Sequence, residues 1–168
     1  MKKEKIFISA FLISAFIWCG LMIARFIVGN DLLIPRKFEI ISTLNFETEL
    51  SYYKILSKLI YWDIICYCLM LLFSFCILIF KKTVTKENPY LTTAIILFFI
   101  FVPIEIYLTK IDYDFLWLVW KNSNNLNEYR YLFLERISFM SGVTFLMILC
   151  YITIIPILIY RPFNKNDE

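Results

Sequence analysis

The chain contains no histidine, and that absence removes the commonest general base, the commonest metal ligand and the usual haem ligand together. Glycine is scarce, at three residues, and proline is limited to five, so collagen-like and low-complexity organisations are excluded. Charged residues make up only 18% of the chain. This excludes the solvated, disordered class, whose members cannot bury apolar surface. The formal charge of +3 is dispersed between loops rather than gathered into a basic patch, so no nucleic-acid partner is expected. The sequence has no C-x-x-C pair, P-loop, G-x-S-x-G elbow or zincin motif.

What the chain does have is apolar surface. Of its 168 residues, 61% are hydrophobic and 19% aromatic, with a mean hydropathy of +0.72, well above the range of soluble domains. A water-soluble globule is excluded and a bilayer is the expected solvent. The five cysteines, Cys19, Cys66, Cys68, Cys76 and Cys150, all fall inside apolar runs and read as small packing residues. Cys66 and Cys68 lie about 200° apart around a helix and cannot pair along it.

Four apolar runs approach the roughly 20 residues needed to cross a bilayer: Ile6 to Gly29, about Leu59 to Phe80, Tyr90 to about Leu108, and Ile137 to Tyr160. The first stays apolar from Ile6 to Ala24, longer than the roughly 7 to 15 residues of a signal-peptide core, so an uncleaved membrane helix is expected there. The expected fold class is all-α, a polytopic membrane protein made of one four-transmembrane-helix bundle over residues 1–168. Its two structured outer loops are expected at 30–58 and 109–136. Lys2, Lys3 and Lys5, then Lys81, Lys82 and Lys86, then Arg161 and Lys165 concentrate in the tails and the short middle connection, which places both termini in the cytoplasm. The Ile, Lys, Asn and Phe bias suggests an AT-rich genome and a bacterial inner membrane.

The outer connections carry pattern of their own. Phe46, Leu50, Tyr53 and Ser57 recur at helical spacing, predicting an amphipathic helix that leads into the second span. From Asp112 to Trp120 the sequence gathers aromatic and aliphatic residues that suit the membrane-water interface. Asp112 and Asp114 form a D-x-D with too few ligands for a metal. Tyr52, Tyr53, Tyr61, Tyr107, Tyr113, Tyr129 and Tyr131 read as an aromatic belt. The layout resembles that of claudin-like four-span proteins, but the first connection has no cysteine pair and no Trp-Gly-Leu-Trp signature, so the resemblance ends at layout.

Helices in lipid associate by close approach and polar contact rather than by hydrophobic exclusion. Small residues four apart mark candidate packing faces: Ala10 and Ser14, Ala15 and Cys19, Gly20 and Ala24 in the first span, and Ser138 and Gly142 in the fourth. These two spans are expected to touch. The ionisable residues within spans are Arg25, Asp63 and Glu105, each costing about 2.5 to 3.5 kcal/mol at mid-bilayer. At 1.5 Å per residue they lie roughly 30, 27 and 23 Å from the cytoplasmic ends, level with Arg136. Three uses stay open for this cluster: a structural ion pair, plain interfacial exposure, or a ligand or proton site. A carboxylate as deep as Glu105 needs a partner or a proton, since desolvation disfavours its charged form.

The function expected from these features is a non-enzymatic integral membrane protein, an accessory or interaction subunit with an outer cap. Its partners would be the lipid bilayer and a membrane protein or a second copy, with no cofactor and no metal. The alternatives are a small transporter or channel subunit with a polar site near the outer leaflet, and an enzyme that modifies lipid headgroups. Orientation is open to direct test. In an otherwise cysteine-free chain, Asn124→Cys is expected to react with an impermeant maleimide added outside; reaction only from the cytoplasmic side overturns the assignment.

Overall fold

The computed structural model describes residues 2–34, 39–41, 43–80, 89–121, 123, 125–139, 142–143 and 145–160, with the side chains of all but 2–5, 80 and 145. Five helices follow one another: α1 Lys2–Asn30, α2 Phe46–Phe80, α3 Pro89–Trp120, α4 Leu126–Phe139 and α5 Phe145–Tyr160. Among the described residues there is no strand, only one isolated antiparallel bridge between Leu33 and Ile40 in the α1–α2 connection. Three of the helices contain segments long and apolar enough to cross a membrane, Ile6–Asn30, Phe46–Ile79 and Pro89–Trp120. The chain is an integral membrane protein on that ground. α5 is shorter; its 16 residues cover about 24 Å against a hydrocarbon thickness of about 30 Å.

Residue pairs give the helix directions. Trp18 meets Tyr67 and Arg25 meets Asp63, so α1 and α2 run antiparallel, while Phe11 meets Phe98 and Arg25 meets Asp112, so α1 and α3 run parallel. Each helix buries one stripe at alternating three- and four-residue spacing. In α1 it is Phe11, Ala15, Trp18, Met22 and Arg25; in α2, Tyr53, Leu56, Ile60, Asp63, Tyr67 and Met70. That period of 3.5 keeps one seam facing a neighbour along a long helix.

The buried side chains separate into two cores. One, around Trp18, Tyr67, Phe98 and Tyr151, fills the long bundle. The other, around Leu32, Tyr53, Phe115, Tyr129 and Phe133, fills a cap where α2, α3 and α4 run on past it. α2 has 35 residues, about 52 Å, so roughly two fifths of its length exceeds the hydrocarbon thickness. Tyr53 organises the cap: it stacks on Tyr129 at 5.3 Å and 12° and meets Phe115 and Phe133 edge-on. Its hydroxyl donates to Glu49 Oε1 at 2.8 Å, and Arg130 clamps the same carboxylate through Nε and an Nη at 2.8 and 2.7 Å.

Several sequence expectations change here. α2 does begin at Phe46, and Tyr53 and Ser57 are buried and Leu50 packs on the cap core, but the buried face also takes in Glu49, Leu56 and Ile60 while Phe46 is exposed; a charged residue faces inward because Arg130 compensates it. The stretch 109–120 is helix, not loop, since α3 continues to Trp120. Between the end of α4 at Phe139 and the start of α5 at Phe145, Gly142 and Val143 have π-helical backbone. Glycine, about 1 kcal/mol worse than alanine in an α-helix, suits that departure from α-helical geometry. Tyr53 and Tyr129 are cap core rather than belt, whereas Tyr61, Tyr107, Tyr113 and Tyr131 are exposed.

The small-residue faces are only partly used. Ser14 and Ala15 are buried, and Ala10, Cys19 and Ala24 are half-buried, but Gly20, Ser138 and Gly142 are exposed, and a methyl group on Gly20 or Gly142 would meet nothing within 4 Å. α1 reaches α5 through Trp18 and Tyr151, whose rings lie 5.3 Å apart. Large interlocking rings set this spacing, so close backbone approach is not needed. Trp18→Ala is therefore expected to cost about 3 to 5 kcal/mol, whereas Gly20→Ala costs nothing, both read by detergent-induced unfolding; a large loss for Gly20→Ala contradicts this packing.

Candidate functional site

Between the two cores lies a layer of charge. On α1, Arg25 continues the stripe three residues after Met22; on α2, Asp63 continues it three residues after Ile60. On α3, Glu105, Leu108 and Asp112 share one face at three- and four-residue spacing, and on α4 Arg136 follows Phe133 by three. Each charge therefore occupies a position that the helical period turns inward, the same position that leucine or tyrosine takes one turn away. Exposure falls to 7% for Arg25, 4% for Arg136, 3% for Asp112 and 2% for Asp63 and Glu105, so snorkelling to water does not explain them.

The geometry is that of a clamp. Arg25 forks onto Asp112, with Nη2 to Oδ1 at 2.7 Å and Nη1 to Oδ2 at 3.1 Å, and Nη1 also donates to Asp63 Oδ2 at 2.6 Å. Arg136 Nε donates to Asp112 Oδ1 at 3.2 Å. Asp112 thus accepts three hydrogen bonds from two arginines, and Arg25 ties α1 to both α2 and α3. Bidentate, charge-assisted bonds of this kind are among the strongest that side chains make. Desolvation of the ions offsets much of that strength, so the set fixes geometry more surely than it adds stability.

Not every atom is satisfied. Asp63 Oδ1, Glu105 Oε2 and both Nη atoms of Arg136 are buried without a hydrogen-bond partner among the described residues. Among the described residues the layer holds two positive and three negative side chains. Below Glu105, the Tyr67 and Tyr151 hydroxyls lie 3.3 Å apart, and Tyr151 donates to the Phe98 carbonyl at 3.4 Å. Among the described residues no group of three or more His, Cys, Asp or Glu is placed to hold a metal ion.

All four sequence candidates, Arg25, Asp63, Glu105 and Arg136, thus meet in one layer. The missed residue is Asp112, its centre. Its D-x-D setting read as a loop, but Glu105 lies seven residues before it, two turns along one helical face, and that spacing was the available signal. Glu49 and Arg130 were missed as well; their pairing joins two connections far apart in sequence, and no local pattern announces it. At the cap surface, Asp114, Trp117, Leu118, Asn127, Glu128, Tyr131 and Leu132 line an open cleft of about 410 Å³, with Lys121 Nζ 5.1 Å from the centre of the Trp117 ring. No protein-family model, no curated protein and no solved structure matches the chain.

The bonding pattern ranks substitutions. Arg25→Ala strands Asp63 and leaves Asp112 with Arg136 alone, and is expected to cost about 3 to 5 kcal/mol. Asp112→Ala, which leaves Arg136 with no acid and Arg25 with Asp63 alone, should cost more than Asp63→Ala, which leaves Arg25 held by Asp112. Adding Asp63→Ala to Arg25→Ala should recover part of the loss, since one stranded charge is removed. Detergent unfolding of the set checks the order, and equal costs for Asp63→Ala and Asp112→Ala contradict the clamp.

Proposed function

We propose that the chain is a four-span protein of a bacterial inner membrane with both termini in the cytoplasm. It acts without catalysis, as an accessory or interaction subunit that presents its cap on the outer side. α5, extended by the turn at Gly142–Val143 and the end of α4, supplies the fourth crossing. The observation that carries the reading is how the polar groups are divided. Inside the bundle, Arg25, Asp63, Asp112 and Arg136 bond to one another and are shut away from solvent. At the cap, Trp117 and Tyr131 stay exposed beside the Asp114 and Glu128 carboxylates, with exposed Trp120 against Trp117. Trp and Tyr are the residues that most often anchor protein partners. The Glu49–Arg130 fork, whose carboxylate is fully buried, holds this surface in a fixed shape, which lowers the cost of binding.

A photo-crosslinking amino acid at Tyr131 and, separately, at Trp120 tests this in native membranes. The expected result is one discrete adduct of the same mass from both positions and none from the lipid-facing Ile100, lost when Glu49→Ala releases the cap. No adduct, or the same adduct from Ile100, overturns the reading. A second reading, a small transporter or channel subunit, draws on the unpartnered atoms of Glu105 and Arg136. Ion flux through vesicles holding the purified protein, above that of empty vesicles, would favour it over the first.

A further inference from the structure

The charged layer does not balance. Among the described residues, Arg25 and Arg136 supply two positive charges and Asp63, Asp112 and Glu105 three negative ones, and all five side chains are more than nine-tenths buried. A net charge sealed in a low-dielectric interior is strongly disfavoured, and buried ionisable groups neutralise instead. The hydrogen bonds show which acid is free to do so. Asp112 takes three bonds from two arginines, and Asp63 takes one from Arg25. Glu105 has an oxygen, Oε2, that is buried and receives no hydrogen bond among the described residues.

We propose that Glu105 is a proton-binding site, carrying one proton in the folded protein at neutral pH. The step is a simple association: a proton from bulk water bonds to a carboxylate oxygen of Glu105, and the layer goes from one net negative charge to none. The new O–H is a donor, and the same layer contains an acceptor without a partner among the described residues, Asp63 Oδ1. Two acids that share a buried site do not both stay ionised, because like charges disfavour it. Every packed element contributes to the surroundings of Glu105. α1 brings Arg25; α2 brings Asp63 and Tyr67; its own α3 brings Asp112; α4 brings Arg136; and α5 brings Tyr151, each of these groups coupled to it electrostatically. A proton suits the site better than a multidentate metal ion, since among the described residues no group of three ligating side chains is placed to hold one. The inference stands on the charge layer alone and holds whether the cap binds a partner or the bundle carries an ion.

Infrared spectroscopy of the full chain in phosphatidylethanolamine–phosphatidylglycerol vesicles at neutral pH tests it, in choline buffer with and without added Na⁺. The expected result is a protonated-carboxyl C=O band, shifted by deuterium exchange, present in the wild type, absent in Glu105→Gln and unchanged by Na⁺. Gln reproduces the size and neutrality of the protonated acid, so Glu105→Gln should unfold at the wild-type detergent concentration, whereas Glu105→Ala should unfold earlier. If Glu105→Gln removes ionised-carboxylate bands instead, if Na⁺ abolishes the C=O band, or if the Gln variant is as unstable as the Ala variant, the proposal is overturned.

Discussion

A guanidinium that cannot reach water must find acceptors for its donors within the protein, and Arg25 finds them on two different helices. Its fork occupies both oxygens of Asp112 while a third bond reaches Asp63. The positions of α1, α2 and α3 along their axes are therefore mutually dependent at this level. Arg136 adds α4 to the same set through Asp112. In lipid no hydrophobic force draws one apolar helix to another, so packing and polar contacts must do that work. The charged layer is where polar contact is concentrated; below it, the Trp18, Tyr67, Phe98 and Tyr151 rings supply the packing.

The layer also separates two differently built cores. The bundle core joins helices that are apolar on nearly every side, and its outward faces carry Ile13, Phe16, Ile100 and Ile152, which suit lipid. The cap core is drawn from α2, α3 and α4 beyond the apolar thickness, together with Leu32 and Leu33 at the end of α1. There Glu49 is buried outright and needs a buried-side partner, which Arg130 supplies from the cap rim. Each core is capped at its boundary by an arginine–carboxylate fork: Arg25 on Asp112 for one, Arg130 on Glu49 for the other.

The sequence made some of this legible and hid the rest for physical reasons. Long apolar runs give membrane helices directly, because the hydrocarbon thickness fixes the number of residues required. Charges inside such runs stand out by their cost, which is how Arg25, Asp63 and Glu105 declared themselves. Asp112 did not, because it lies where α3 turns polar enough to resemble a loop; only its register with Glu105 marks it. The Glu49–Arg130 fork joins residues 81 apart, beyond any local periodicity. The small-residue faces misled for another reason. Gly20 and Ser138 have the spacing of a packing ridge, yet the bundle is spaced by tryptophan, phenylalanine and tyrosine, and a ridge of small residues has no role against rings of that size.

Register is the remaining problem for such a bundle, and the charged layer bears on it. Helices that are apolar round their whole circumference carry no strong preference for which face turns inward. Rotation of α3 by one residue changes its apolar contacts modestly, since leucine, isoleucine and phenylalanine occupy nearly half of its positions. The same rotation turns Asp112 by about 100°, leaving Arg25 with one acid and Arg136 with none. The cost of misplacing a buried charge far exceeds that of exchanging one apolar side chain for another. Of the alternative packings open to these helices, the observed one thus combines a closed fork on Arg25 with an aromatic core beneath it. Glu105 sits two turns nearer that core than Asp112 and beyond the reach of either fork, and so the layer retains one acid whose charge the arginines do not cancel.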